Sequence, residues 1–270
     1  MKGCILNDDG KVVEYLDPTD WTGAVRDGSR GQVMVEIPQH YRKFETDGTK
    51  RTVWLSETQL PGYHEVPKCY ISAYEASLDR TNNKLASVVN TTAQYRGGDN
   101  TAEWDDAYRS LLGKPVSRVS RTNFRKYARA RKANSLEWNM LTYDTYKTLY
   151  WLFVVEYATL NNQSPYNAQP TSDGFKQGGL GLGVTNMPKW KDYNGYNPLV
   201  PCGITDSIGN KTGVVEYTIN NNASESPITY TAPVPRYRGV ENPFGHIWKI
   251  VDGINIQINP SVENGGNGLS

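Results

Sequence analysis

Cysteine and histidine are scarce in this 270-residue chain, at three residues each, and long apolar runs are missing. Cys4, Cys69 and Cys202 stand far apart with no CxxC spacing, which excludes a zinc ribbon or a thioredoxin-like pair and predicts buried or incidental thiols. His40, His64 and His246 share no metal-ligand spacing, and neither HExxH nor HxxxH occurs, so no metal site is expected from them. Calcium stays open, because oxygen ligands from Asp, Asn and backbone leave little trace outside an EF-hand. The N-terminal MKGCILNDDGKVV has no apolar stretch of signal-peptide length. The most apolar segment, LYWLFVVEYA from Leu149, is interrupted by Glu156, so no membrane span is expected. A charge surplus is also missing. The formal net charge of +1 supplies no global field toward nucleic acid or an anionic membrane.

The motifs of nucleophilic and phosphate chemistry are absent as well. No GxSxG elbow or cysteine-enzyme signature occurs. GGLGLG lacks the Lys-Ser/Thr of a P-loop and does not join a strand to an amphipathic helix. No catalytic residue and no cofactor are assigned, and the chain is expected not to be an enzyme.

What is present is an ordinary globular composition, 37% hydrophobic and 21% charged, enough for a well-buried core. Eighteen Tyr and seven Trp stand against five Phe, an excess of polar-tipped aromatics suited to half-wet contact surfaces. Residues 1–75 read as β-rich. QVMVEIP alternates and RTVWLS gives a second strand, with Asp47-Gly48 as the turn signal between them, so a hairpin is expected. Residues 76–270 form the rest of the fold. Within them a helical middle runs from about Thr101 to Asn161, where Ser120 and Thr122 offer N-caps for NFRKYARARK. Arg121, Arg125 and Arg129 recur every four residues opposite Phe124, Tyr127 and Ala128. Near-neutral net charge favours a solvated or acid-paired surface helix over a nucleic-acid helix.

TYDTYKTLYWLFVVEYATL is apolar on nearly every face, which places Leu149, Trp151, Leu152 and Val155 in the core. After Asn162 the chain is rich in loops, with TGVVEYTI and PITYTAP as a second hairpin and DGINIQINP as a further strand. Residues beyond Pro260 are expected to form an exposed loop. The pattern is α+β, two main helices packed on loop-rich antiparallel β-structure.

One segment, RYRGVENPFGHIWKIVDGINI at 236–256, concentrates Arg, Glu, Asp, His and Trp around three glycines and could be a catalytic centre or a scaffold. Gly239, Gly245 and Gly253 mark turns or close approaches, and Phe244 and Trp248 are apolar anchors. Arg238 and Glu241 are near enough to pair across a turn, and Asn242-Pro243 favours a tight loop. Scaffold is the favoured reading.

Three blocks, GQVMVEIPQHYRKFETDGTKRTVWLS, SLEWNMLTYDTYKTLYWLFVVEYATLNNQ and RYRGVENPFGHIWKIVDGINI, together resemble tail-fibre-type proteins of phages and prophages of gut Bacteroidetes. Those proteins are similar to the C-type-lectin-like superfamily, in the branch shared with formylglycine-generating enzymes and with target proteins of diversity-generating retroelements. The resemblance implies a C-type-lectin-like core over 76–270 and a buried central motif of Arg238, Gly239, Glu241, Asn242, Gly245, Trp248 and Asp252. It implies a virion fibre or receptor-binding protein, made in the bacterial cytoplasm, that is a homo-oligomer beside other virion proteins. The partner implied is a bacterial surface glycan or protein, with the ligand-binding residues unassigned. A structural virion or surface component without a receptor of its own is the alternative. A formylglycine-generating activity would need reactive cysteines near the C-terminus, and the last cysteine is Cys202. Family members continue past the last block, so the resemblance leaves three alternatives: a fragment, a fold completed by another chain, or a lost binding face.

Overall fold

The computed structural model describes residues 1–106, 108–167, 169–174, 177–181, 183, 197–221, 228–255, 258–259 and 268–269. Its first sheet contains β1 (Lys2–Leu6), β2 (Val12–Tyr15), β3 (Gln32–Ile37) and β7 (Cys69–Ser72) in the order β2-β1-β3-β7. Successive side chains on a strand point to opposite faces, and β3 uses both. Val33, Val35 and Ile37 join Ile5 in the main core, whereas Met34 joins Cys4 and Leu6 in a second cluster on the other face. A second sheet, order β5-β4-β6, contains β4 (His40–Asp47), β5 (Lys50–Ser56) and β6 (His64–Val66). β8 (Ser77–Asp79) and β9 (Lys84–Ala86) form a short hairpin.

Two α-helices follow, α1 (Arg121–Arg129) and α2 (Tyr143–Tyr157). The C-terminal half adds β10 (Tyr166–Asn167) with β11 (Gln177–Gly178), then β12 (Gly213–Asn221), β13 (Ile228–Tyr237) and β14 (Val240–Glu241) in one sheet. A final pair joins β15 (Ile258–Asn259) to β16 (Gly268–Leu269). The fold is α+β, and every ladder between these strands is antiparallel.

The β12–β13 hairpin matches the expected one, and Ser120 caps α1 by accepting from the Asn123 N–H at 3.2 Å. The N-terminal hairpin differs from expectation. QVMVEI lies in the first sheet, and the strand that turns back onto β5 is HYRKFETD, with Asp47 opposite Lys50 across a turn at Gly48 (φ +55) and Thr49. Pro38 accounts for the break, since a residue without N–H ends the β3 ladder and lets the chain change sheets. The expected loop beyond Pro260 lies outside the described residues apart from β16, as do Ile256 and Gln257 of the expected last strand.

α2 lies against the main core with a single stripe, Leu149, Phe153 and Tyr157, spaced by four. Trp151 and Leu152 are half-buried, and Trp151 meets Phe44 of β4 edge-on at 5.1 Å. Val155 is a correction to the core expectation: it is 40% exposed, because only one side of the helix is covered. Leu149→Ala should therefore cost about 2–5 kcal/mol in urea unfolding, and Val155→Ala about 0.5 kcal/mol or less. Equal losses at both positions would mean that the outer face of α2 is covered too.

Residues on both sides of position 75 share the main core, among them Val35, Ile71, Phe153 and Tyr237. Lys114 is 8% exposed, and burial pushes its ammonium down from 10.5 to about 8. Below about pH 8 the folded chain must hold this charge out of water while the unfolded chain solvates it. The unfolded state thus binds more protons between about 8 and 10.5, and stability rises with pH through that window. Lys114→Met should stabilise by about 3 kcal/mol at pH 7, with the gain fading toward pH 10.5. Chemical denaturation of both proteins at the two pH values checks this, and a pH-independent difference would contradict it.

Candidate functional site

The RYRGVE segment closes β13 onto β14 with a two-residue turn. Arg236 lies opposite Glu241 and Tyr237 opposite Val240, leaving Arg238 (φ +49) and Gly239 (φ +94) in the left-handed region at the tip. Those angles suit a type I′ hairpin turn. A Cβ on Gly239 would also press on Val35 and Trp21, at 3.1 and 3.2 Å.

The turn sends alternate arginines to opposite destinations. Arg236 is fully buried, with its guanidinium 3.9 Å from the centre of the Trp21 ring. It donates to the Gly209 carbonyl at 2.7 Å, to Thr205 Oγ1 at 2.7 Å and to Asp206 at 3.2 Å. Asp206 also pairs with Arg26 and accepts from the Tyr74 hydroxyl at 2.8 and 2.9 Å. Burial, then the Asp206 charge, raise Tyr74 well above the ordinary tyrosine range. Glu241 completes the cluster by accepting from the Gly203 and Thr205 N–H groups and from the Thr205 hydroxyl, at 3.0, 2.8 and 2.8 Å. Burial and the neighbouring Asp206 push the Glu241 carboxyl up to about 7.

Arg238 does not pair with Glu241. It stands at the turn tip and forms a fork on Glu156 of α2, with its nearest contact at 2.6 Å. Cross-strand geometry explains the correction: Glu241 shares its face with Arg236, directly opposite, and not with the tip residue. Asp252 holds the far end of the segment. It accepts from Arg125 Nε and Nη2 at 2.8 and 2.6 Å, and its backbone bridges Leu141 and Tyr143 just before and at the start of α2. The Arg125 hydrogen bonds hold its carboxyl down at about 2. The arginine stripe of α1 is thus partly consumed by this ion pair, while Phe124, Tyr127 and Ala128 turn inward.

Between these anchors the chain crosses a second cluster. Asn242 (φ +45), Gly245 (φ +92) and His246 (φ +66) all take left-handed conformations, and non-glycine residues adopt them at a cost of about 1–3 kcal/mol each. His246 is folded inward so that Nδ1 lies 2.5 Å from Glu75 Oε2. Lys249 pairs with the other Glu75 oxygen and donates to the Gly245 carbonyl at 3.0 Å. Burial would raise the Glu75 carboxyl, but Lys249 and then His246 outweigh it and hold it below its ordinary value. His246 Nε2 is buried and has no partner. Trp248, expected in the buried centre, is fully exposed, since the left-handed turn that takes His246 in carries Trp248 out. Phe244 is buried against Tyr150 and Phe153 of α2.

Glu75, Asn242 and His246 line a cleft of about 1480 Å³ whose walls include Met34, Phe124 and Tyr146. A carboxylate-held imidazole is the geometry of a general base, but among the described residues no Ser, Thr or Cys side chain bonds to His246. Cys202 is nearby and donates to the Glu75 carbonyl at 3.4 Å, and burial raises its thiol well above the ordinary range. Burial also pushes Cys4 up to about 12. Such thiols are poor nucleophiles. Among the described residues no group of three His, Cys, Asp or Glu side chains could hold a metal, and no helix is long and apolar enough to cross a membrane.

The motif residues therefore divide. Gly239, Glu241, Asn242 and Asp252 are inside, Arg238 clamps α2, Gly245 and His246 shape the cleft, and Trp248 is outside. Trp21, Glu75, Asp206 and Arg236 were not singled out, and only Arg236 lay within the block. A two-residue Arg-Gly turn was the one local signal for it. No family model, curated protein or solved structure matches the chain.

Proposed function

We propose that this chain is a fibre or receptor-binding protein of a phage or prophage, attaching the virion to a bacterial surface glycan or protein through a C-type-lectin-like scaffold. In this role it is a homo-oligomer, made in the bacterial cytoplasm and carried on the virion with other virion proteins. The observation that carries the reading is the meeting of the three resembling blocks in one core, where Val35 and Ile37, Leu149 and Phe153, and Tyr237, Val240 and Phe244 pack together. The buried residues of these blocks serve as scaffold, which leaves their exposed positions and the loops for recognition. The exposed Trp54 of the β4–β5 hairpin, on the face opposite the one where Phe44 meets Trp151 and with its indole fixed on Glu45 at 2.7 Å, fits such a surface.

The test is retention of the labelled protein on a panel of gut Bacteroidetes strains, competed by their isolated surface polysaccharide. Saturable, competable retention on a subset of strains is expected. Incorporation into virions with no retention on any strain would replace this reading with that of a structural component.

A further inference from the structure

The sheet β5-β4-β6 has two faces of different make-up. Side chains alternate along a strand, and the register sets Lys43 opposite Trp54 and Tyr41 between Ser56 and Glu65, so Tyr41, Lys43, Glu45, Trp54 and Glu65 share one face. Phe44 is on the other face and meets Trp151 of α2. Among the described residues, the ring and hydrogen-bond partners of Tyr41, Lys43, Glu45 and Trp54 all lie within 39–65. That face is turned to solvent. Trp54 is 47% exposed, its indole N–H donates to Glu45 Oε2 at 2.7 Å, and Glu45 Oε1 pairs with Lys43 at 2.5 Å. The Lys43 ammonium also stands 5.9 Å from the centre of the Tyr63 ring. Hydrogen bonds from Lys43 and then Trp54 hold the Glu45 carboxyl below its ordinary value, so at neutral pH it is an acceptor. The Tyr41 hydroxyl accepts from the Gln39 amide at 3.1 Å and keeps its own proton to donate. An exposed ring beside an ammonium and a carboxylate matches a pyranose. Its C–H face packs on the indole, while one hydroxyl donates to Glu45 and its neighbour accepts from Lys43. Charge decides the kind of sugar: Lys43 and Lys50 are outnumbered on this face by Glu45, Asp47 and Glu65, which repels chains that carry carboxylates or sulfates.

We infer that the Trp54 face of this sheet binds a neutral polysaccharide, stacking one pyranose ring on the indole and holding two adjacent hydroxyls on Lys43 and Glu45. Glu45 already fixes the indole, so little side-chain freedom is lost on binding. The site rests on the attachment reading only for the source of the glycan, a bacterial surface.

The probe is an array of neutral hexose and N-acetylhexosamine oligosaccharides, with sialylated and uronic-acid oligosaccharides printed beside them. It is read with the labelled full chain, and the best neutral binder is then titrated by calorimetry. Binding to neutral spots is expected, and Trp54→Ala should weaken it by at least about tenfold through loss of the stacked ring. Trp54→Phe keeps a ring and should lose less. Glu45→Gln keeps an acceptor for the indole but breaks the Lys43 pair, and it should weaken binding several-fold while thermal melting stays unchanged. Trp248→Ala, a change at a fully exposed indole elsewhere, should bind like the unaltered protein. No binding to any neutral oligosaccharide, a preference for the acidic ones, or full binding by Trp54→Ala would each overturn the proposal. Retention on cells that survives Trp54→Ala would leave the attachment reading standing and remove this site; array binding without retention on any strain would do the reverse.

Discussion

Asp206→Ala should lower the unfolding free energy by about 3–5 kcal/mol, since it strands Arg236, fully buried, beside the nearly buried Arg26. Against the 5–15 kcal/mol typical of a folded domain, that is a large share of the total. The loss belongs mostly to the uncompensated charge and only in part to the missing contacts. A second change tests this directly. Adding Arg236→Met to Asp206→Ala removes the stranded cation and fills its volume, so part of the stability should return. Urea unfolding of the single and double variants measures both effects. A double variant that is worse by the full sum of the singles would mean that the network acts through packing and not through charge.

Trp21→Ala should cost a comparable amount, about 3–5 kcal/mol, because the indole is completely buried and touches distant segments. Gly3 and Gly239 give it room. A Cβ on Gly3 would stand 2.0 Å from Trp21 Cζ2, closer than any real contact, and the rigid ring has no free end to move aside. Gly3→Ala alone should therefore destabilise by about 1–3 kcal/mol through overpacking. In a Trp21→Ala background the same change should be close to neutral. This coupling of about 1 kcal/mol or more in a double-mutant cycle is the sharper readout. Additive losses would show that Gly3 is required for its backbone and not for the space it leaves.

What could be read from the sequence was local. The strand β3, the Ser120 cap and the β12–β13 hairpin each depend on a few neighbouring residues. The same logic failed where a pattern had no phase. α2 is apolar nearly all round, so periodicity could not say which side is covered, and Val155 was placed inside. Spacing puts Arg238 within reach of Glu241 across a turn, but the two-residue turn that forms leaves Arg238 at its tip and sets Arg236 opposite Glu241. Trp248 was placed by its type, whereas a left-handed His246 decides its direction. Glu75 gave no signal, since its partners His246 and Lys249 are 171 and 174 residues further along. Partnership over such distances is a property of topology and has no period.

The box around Trp21 sets an order of events during synthesis. Its walls come from Gly3 near the beginning of the chain and from Arg236 and Gly239 near the end, and β3 shares its core with Phe244. At roughly 5–20 residues per second, the ribosome takes on the order of ten seconds or more to supply that last segment. For that interval the first sheet exposes Trp21, Val33 and Val35 on a face that nothing yet covers, with the antiparallel edges of a young sheet beside it. Closure then requires long-range pairing, which is slow because loop entropy is lost before the contacts form. The nascent chain consequently carries this apolar face uncovered until Phe244 has emerged. Production from a fast promoter at 37 °C should yield less soluble protein than slow production in the cold.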